Sequence, residues 1–278
     1  MSFFSDILNF EFLQNAIIAI LFMSITCSII GAYIVVKRIV FLSGGLTHAS
    51  FGGIGIAYYM GVNPLYGALL FSVASALGFD YLTRKNGMRE DSAIGVLWAL
   101  GMAIGILFIF LTPGYAPNLM SFLFGNLLTI TTDLLLYNGI LAALILFIFL
   151  FASKAIMYVA FDSDFSQTRG VPVKLIERTM LVLIAVTIVL TLKLVGIMLL
   201  VSLLSIPSMI SSIITTTFNQ MVWSNIIITF ICGLIGVWIS AEIDIPTGAS
   251  IIIVLSVVYI AVKIAHYLKT KFQRLKLR

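Results

Sequence analysis

Charge is scarce in this chain. Of its 278 residues only 10% are Asp, Glu, Lys or Arg, and 61% are hydrophobic. Ordinary soluble domains are about a quarter charged and about half apolar. A soluble core of this size cannot hide so much apolar surface, so the long apolar runs read as transmembrane helices. Cysteine is scarce as well. Cys27 and Cys232 lie far apart inside apolar runs, which excludes a disulfide scaffold and any paired metal or redox spacing. Histidine occurs twice. The net charge of +5 is modest, and the basic residues gather in a few polar breaks and in the tail KTKFQRLKLR. That pattern belongs to cytoplasmic loops beside a bilayer, and no nucleic acid partner is expected. No P-loop, G-x-x-x-x-G-K-[ST], occurs, so the chain is not expected to be an enzyme that hydrolyses ATP by itself. The start, MSFFSDILNFEFLQN, is amphipathic rather than basic and then apolar, so no cleavable signal peptide is expected.

The apolar runs define one all-α polytopic membrane domain spanning residues 1–278. Nine segments stand out, near 14–36, 41–60, 64–82, 93–112, 133–152, 179–196, 198–217, 222–240 and 249–267. Each approaches the roughly 20 residues that a bilayer core requires. The two runs around 197 are jammed together, so eight or nine spans are both compatible with the pattern. NLMSFLFGNLL at 118–128 is too short to span and reads as an outer interfacial or re-entrant helix. Lys and Arg concentrate in the breaks at 36–38, 83–91 and 153–178 and in the tail 268–278. The breaks at 61–64, 112–118 and 241–248 have none. With nine spans the basic breaks share one side, which places the N-terminus outside and the C-terminus in the cytoplasm. Lys193, near an outer end, is the exception to that bias.

The stretch FLSGGLTHASFGGIGIAYY at 41–59 contains LSGG, the opening of the signature loop of ABC-type ATPases. Without a P-loop, and running straight into an apolar helix, the match is accidental. His48 is the more informative residue. Helical periodicity places Phe41, Gly44, His48, Gly52, Gly55 and Tyr59 on one face. Glycines at this spacing let a neighbouring backbone approach, or leave room beside the imidazole. An ionisable group within a span is a functional-site candidate, and neutral imidazole is a common transition-metal ligand. A structural histidine bonded to a carbonyl of the next helix fits equally. Ser43, Thr47 and Ser50 supply hydroxyls nearby. One imidazole cannot hold a metal tightly, but a permeation site must also release its ion. Asp80 reads as a helix-end charge facing water or pairing with Arg84. Asp133 reads as a residue of a helix N-terminus. Glu242 and Asp244 read as solvated. No methionine is assigned as a ligand.

The longest break, SKAIMYVAFDSDFSQTRGVPVKLIER, contains a short helix. Asp162 or Ser163 can cap it, Gly170 can end it, and Pro172 bars its continuation. Phe161 and Phe165 fall at i, i+4 and form one apolar stripe, suited to a groove of a soluble partner or to lipid headgroups. Further on, VGIMLLVSLLSIPSMISS carries serines around Pro207, Ser205 and Ser208 among them. A kinked or broken helix there fits a transport path, and polar packing between helices accounts for the serines as well.

Several stretches together resemble one family. VVKRIVFLSGGLTHASFGGIGIAYYMGVNP is similar to the second-helix signature of ABC-3 permeases of manganese, zinc and iron ABC importers. SFLFGNLLTITTDLL, AFDSDFSQTRGVPV, LKLVGIMLLVSLLSIPSMIS and SAEIDIPTGASIIIV follow in the family's order, covering about residues 10 to 265. The resemblance implies a permease subunit in a bacterial cytoplasmic membrane, working as a homodimer. Two cytoplasmic ABC ATPase subunits would bind ATP, and an extracytoplasmic metal-binding protein would deliver the ion. It implies no intrinsic cofactor, with a divalent metal as cargo. It makes Phe161, Asp162, Phe165, Arg169 and Gly170 the coupling element that fits a cleft in the ATPase. The family usually has Asp four residues before the second-helix His; here that position is Gly44. An oxygen ligand and a negative charge are thereby lost. Ser43, Thr47 or water remain as substitutes, and a chelated metal or another small solute remains as an alternative cargo. A membrane scaffold or sensor that docks an ATPase without transporting, and a stand-alone secondary carrier, are the readings from other classes.

Overall fold

The structure, a computed structural model, describes residues 10–113, 127 and 130–276. The described residues form α1 (Glu11–Lys37), α2 (Val40–Tyr59), α3 (Pro64–Arg84), α4 (Glu90–Leu111), α5 (Thr132–Phe161), α6 (Ser163–Thr168), α7 (Val173–Ile214), α8 (Phe218–Ile243) and α9 (Thr247–Lys276). No strand occurs among them. All but α6 are long and apolar enough to cross a membrane. The expected outer helix at 118–128 lies outside the described residues apart from Leu127.

The helices begin and end where local chemistry directs. The Asn63 side chain accepts from the Leu65 N–H at 3.0 Å, with Pro64 in the first turn of α3. Arg38 closes α1 in the left-handed conformation. Asp162 caps α6, accepting from the Phe165 N–H at 2.9 Å. Gly170, at φ 76°, lets the chain leave α6 and enter α7 past Pro172.

Two of the apolar runs seen in the sequence, 179–196 and 198–217, fall within the 42 residues of α7. A straight helix of that length would measure about 63 Å, twice a bilayer core. Gly196, at φ 76° and ψ 173°, interrupts it. Glu177 pairs with Lys37 of α1, and the Leu204 carbonyl packs on Gly31 of the same helix. Lys37 and Gly31 are about 9 Å apart along α1, whereas a straight α7 would separate Glu177 from Leu204 by about 40 Å. The pieces 173–195 and 197–214 therefore turn back on one another as a hairpin, so the eight spanning helices among the described residues supply nine crossing lengths.

α7, α1 and α2 are the most buried helices, and α4 and α9 the least. α1 and α7 form the centre of the bundle. Gly139 of α5 and Gly233 of α8 pack on Phe22 and Ile20 of α1. Between α1, α7 and α8 the Asn225 amide donates to Ser208 Oγ at 2.8 Å and to the Ser28 carbonyl at 3.3 Å. Ser28 and Thr229 hydroxyls meet at 3.2 Å. In an apolar medium such contacts, with small residues beside them, hold helices that gain little from hydrophobicity alone.

One end of the bundle carries the charges. A cavity of about 440 Å³ is lined there by Lys37, Asp80, Arg84, Glu90, Asp164 and Glu177, among others. Around it Lys37 Nζ meets Glu177 Oε1 at 2.7 Å. Arg84 Nε meets Asp80 Oδ1 at 2.5 Å, and Arg178 Nε meets Asp80 Oδ2 at 2.9 Å. Arg84 also pairs with Glu177. The three basic breaks at 36–38, 83–91 and 153–178 thus converge on one face. The tail joins them, since α9 starts beside the far end of α8 and runs back. Lys193 lies at the opposite end, in a smaller cavity with Asn63 and Pro64.

Candidate functional site

α2 packs against two helices through its small residues. Gly53 and Gly67 of α3 face one another with their backbones in contact. Toward α4, Gly45 meets Ile94, Ala49 meets Gly101, and Gly52 meets Gly101, while Phe71 of α3 also lies against Gly52. Gly55 and Phe51 meet Gly105. Residue numbers rise together along this seam, so α2 and α4 run parallel. The glycine face seen in the sequence serves mainly this close approach.

Gly44 differs from the others. A Cβ built on it would find nothing within 4 Å. The next turn presents His48, half-buried. Its imidazole lies flat on the Trp98 indole of α4, with ring centroids 4.3 Å apart and planes inclined by 5°. Phe41, about two turns before His48, meets the same indole at 6.2 Å. The His48 Nδ1 is buried without a hydrogen-bond partner, so Nε2 is the nitrogen left to meet a ligand. The carbonyl bond expected of a purely structural histidine is thus not formed.

The three hydroxyls near His48 are otherwise engaged. Ser43 donates to the Val40 carbonyl at 2.7 Å, Thr47 to Ser43 at 2.6 Å, and Ser50 to Thr47 at 2.6 Å. All three are fully buried. They satisfy α2's own backbone rather than line the space beside Gly44. No group of three or more His, Cys, Asp or Glu that could hold a metal ion occurs among the described residues. The open face can offer one neutral nitrogen to a passing cation, which suits weak, reversible contact rather than tight binding.

The cluster around α6 is a second, separate place. Phe161 and Phe165 are 68% and 59% exposed, an apolar stripe presented outward. The Arg169 guanidinium lies over the Phe165 ring at 5.8 Å. Ser166 is buried beneath, donating to the Asp162 carbonyl at 2.6 Å. Asp164 and Gln167 line the charged cavity, so α6 rests directly on the ion-paired ends of α1, α3 and α7.

Pro207 and Ser208 are buried in the returning half of α7, and Ser205 donates to the Val201 carbonyl at 2.8 Å. Helical dihedrals persist through Pro207, and the break in α7 is at Gly196. This group packs on α1 and α8, away from the contacts that His48 makes with α4. Trp98 was not singled out in the sequence, where it reads as an ordinary member of an apolar run. The signal that points to its helix is Gly101-x-x-x-Gly105, three residues on, which marks a close helix contact.

The profile of the ABC 3 transport family matches residues 9–266. The chain is 42% identical over 255 residues to an uncharacterized membrane protein of Synechocystis sp., covering 91% of this chain and 90% of that one. It is 32% identical to a probable iron transport system membrane protein of Haemophilus influenzae, covering 88% and 90%. It is 31% identical to the manganese transport system membrane protein MntC of Halalkalibacterium halodurans, covering 92% and 88%. In structure it is similar to PsaBC from Streptococcus pneumoniae in complex with Fab, at a TM-score of 0.83 and 22% identity, covering 94% of each chain. With eight helices able to span a membrane and a family match over nearly its whole length, the chain belongs to the ABC 3 transport family.

Proposed function

We propose that this chain is the membrane-spanning subunit of an ABC importer that moves a divalent transition-metal ion from a binding protein to the cytoplasm. Two copies form the pathway, and separate ATPase subunits dock on the charged end at α6. The observation that carries the reading is family membership over residues 9–266, in a family whose relatives here are named for manganese and iron transport. The convergence of the basic breaks on one cavity supports a cytoplasmic assignment for that end, which puts the N-terminus outside. The exposed Phe161 and Phe165 beside ion-paired helix ends suit a soluble partner that pushes on the bundle there.

His48 is the group proposed to meet the cargo. It is an ionisable side chain within a span, on an open face. α4 is little buried within one chain, so a second copy set across this face would bring the partner's His48 toward the same path. Two neutral imidazoles are acceptable to manganese, iron and zinc alike, and ligand type alone does not choose among them.

A second reading has its own observation. The space beside Gly44, where the family resemblance places a carboxylate, is empty. A bulkier cargo, such as a chelated metal, would use that room without needing a direct carboxylate ligand.

The test is ATP-dependent uptake in proteoliposomes containing the permease, its ATPase and its binding protein, with a panel of free and chelated metals. Uptake of a free divalent ion that falls in His48→Ala, with assembly intact, supports the lead reading. Uptake of the chelate alone supports the second. Unchanged uptake in His48→Ala removes this residue from the path.

A further inference from the structure

We infer that Trp98 is a positioning residue for His48, doing by ring stacking what a hydrogen bond does in most metal-binding histidines. The inference rests on the reading of His48 as the group that meets the cargo.

A histidine that binds a metal through one nitrogen almost always donates its other N–H to a carboxylate, a carbonyl or water, and that bond sets the ring's orientation. Here Nδ1 is buried with no partner of this kind. Without a restraint the imidazole would be free to rotate about its two side-chain torsions into the empty space beside Gly44. The restraint present is the indole of Trp98, lying 4.3 Å away and 5° from parallel. A flat stack of this kind fixes the plane of the ring, and with Nδ1 buried it leaves Nε2 as the nitrogen to meet the ion.

The indole is itself held. One turn before Trp98, Ile94 packs on Gly45; three residues after it, Gly101 packs on Ala49. Both contacts lack room for a side chain on the glycine. They set the distance between α2 and α4 on either side of the stack, so the indole cannot retreat as a unit. Phe41, two turns earlier on α2, lies against the same indole. These contacts come from two helices and lie within two turns of α2, and they leave His48 little freedom except a slide along the indole face.

A transition-metal ion on Nε2 would then lie within a few ångströms of the indole edge. This makes Trp98 a built-in reporter as well as a support. The quenching reports that the ion sits at His48, and the Trp98→Leu and Trp98→Phe affinities report whether the indole positions the ring.

The experiment uses the full-length chain in lipid nanodiscs with Trp223 and Trp238 replaced by Phe, so that Trp98 is the only indole. Co²⁺ serves as the spectroscopic probe and radioactive Mn²⁺ as the binding probe. Co²⁺ is expected to quench Trp98 emission saturably, and the quenching should vanish in His48→Ala. Trp98→Leu, tested by Mn²⁺ binding, is expected to weaken affinity roughly tenfold or more, the scale for losing a group that orients a ligating imidazole. Trp98→Phe, which keeps a ring to stack on, should restore most of that loss. The inference is overturned if Co²⁺ leaves Trp98 emission unchanged while Mn²⁺ binding still depends on His48. Equal Mn²⁺ affinity in Trp98→Leu, Trp98→Phe and the parent overturns it too. If His48→Ala itself leaves Mn²⁺ binding unchanged, the reading of His48 fails first, and the two failures are told apart. The fluorescence measurement keeps Trp98 in place, so it stands even where Trp98→Leu does not fold.

Discussion

Gly101 of α4 packs on Ala49 of α2 so closely that a Cβ on the glycine would stand 2.5 Å from the Ala49 Cα. Helix contact at this distance requires glycine, and the same seam holds the His48–Trp98 stack. Gly101→Ala is expected to force the two helices apart and lower the unfolding temperature in detergent, as overpacking typically costs about 1–3 kcal/mol. Gly44→Ala, with open space around it, should leave stability unchanged or raise it by up to about 1 kcal/mol through helix propensity. Equal losses in both variants would contradict the seam as described.

Gly44→Asp places a carboxylate one turn from the imidazole, on the open side. Metal uptake or Mn²⁺ binding measured in the reconstituted transporter is expected to rise in affinity relative to the parent, and discrimination in favour of dications should sharpen. If a chelate is the natural cargo, the same substitution should instead reduce its uptake by filling the space.

Lys37 and Glu177 join α1 to α7 at the charged end, with Arg84 and Asp80 completing the group. Glu177 is buried, whereas its partners are partly exposed. Glu177→Leu leaves Lys37 without a carboxylate partner and Arg84 with Asp80 alone, and the expected loss is on the order of 2–3 kcal/mol, between the values for exposed and fully buried pairs. Adding Lys37→Met should recover part of it. A double-mutant cycle by chemical or thermal unfolding measures the coupling.

Phe165→Asp puts a charge in the exposed stripe of α6 without touching the bundle interior. The permease should fold normally and lose its ATPase on co-purification, or keep it without stimulation of ATP hydrolysis. Full retention of both would place the docking surface elsewhere.

Gly196→Ala introduces a side chain at φ 76°. With ψ at 173° this is a region occupied essentially by glycine alone, and a side chain there costs about 1–3 kcal/mol, so unfolding should come earlier. A fluorophore pair placed near residues 177 and 204 should still report the short distance of the hairpin if the fold survives.

Much of this protein was legible in its residues. Water-to-lipid transfer acts on each apolar run separately, so the spans were readable from length alone. The Asp162 cap, the Gly170 exit and the Asp80–Arg84 pair are contacts between near neighbours in sequence, and they formed as local chemistry requires. The clustering of the basic breaks followed from alternation of the spans. His48 stood out because an ionisable group in a span is rare.

What the sequence by itself determined, then, is that the chain crosses a membrane many times, which breaks share a side, and where an imidazole and a short capped helix lie along it. Tertiary structure decided which face of each helix meets which neighbour. Helices apolar on every side carry no amphipathic signal to orient them, so small residues on two distant segments must be matched in space before a face is known. That matching put Gly52 and Gly55 under α4, turned Ser43, Thr47 and Ser50 back on their own helix, left Gly44 open, and laid His48 against Trp98. The reversal at Gly196 belongs to the same class, since a single left-handed glycine becomes a hairpin only when α1 offers both arms a place to pack.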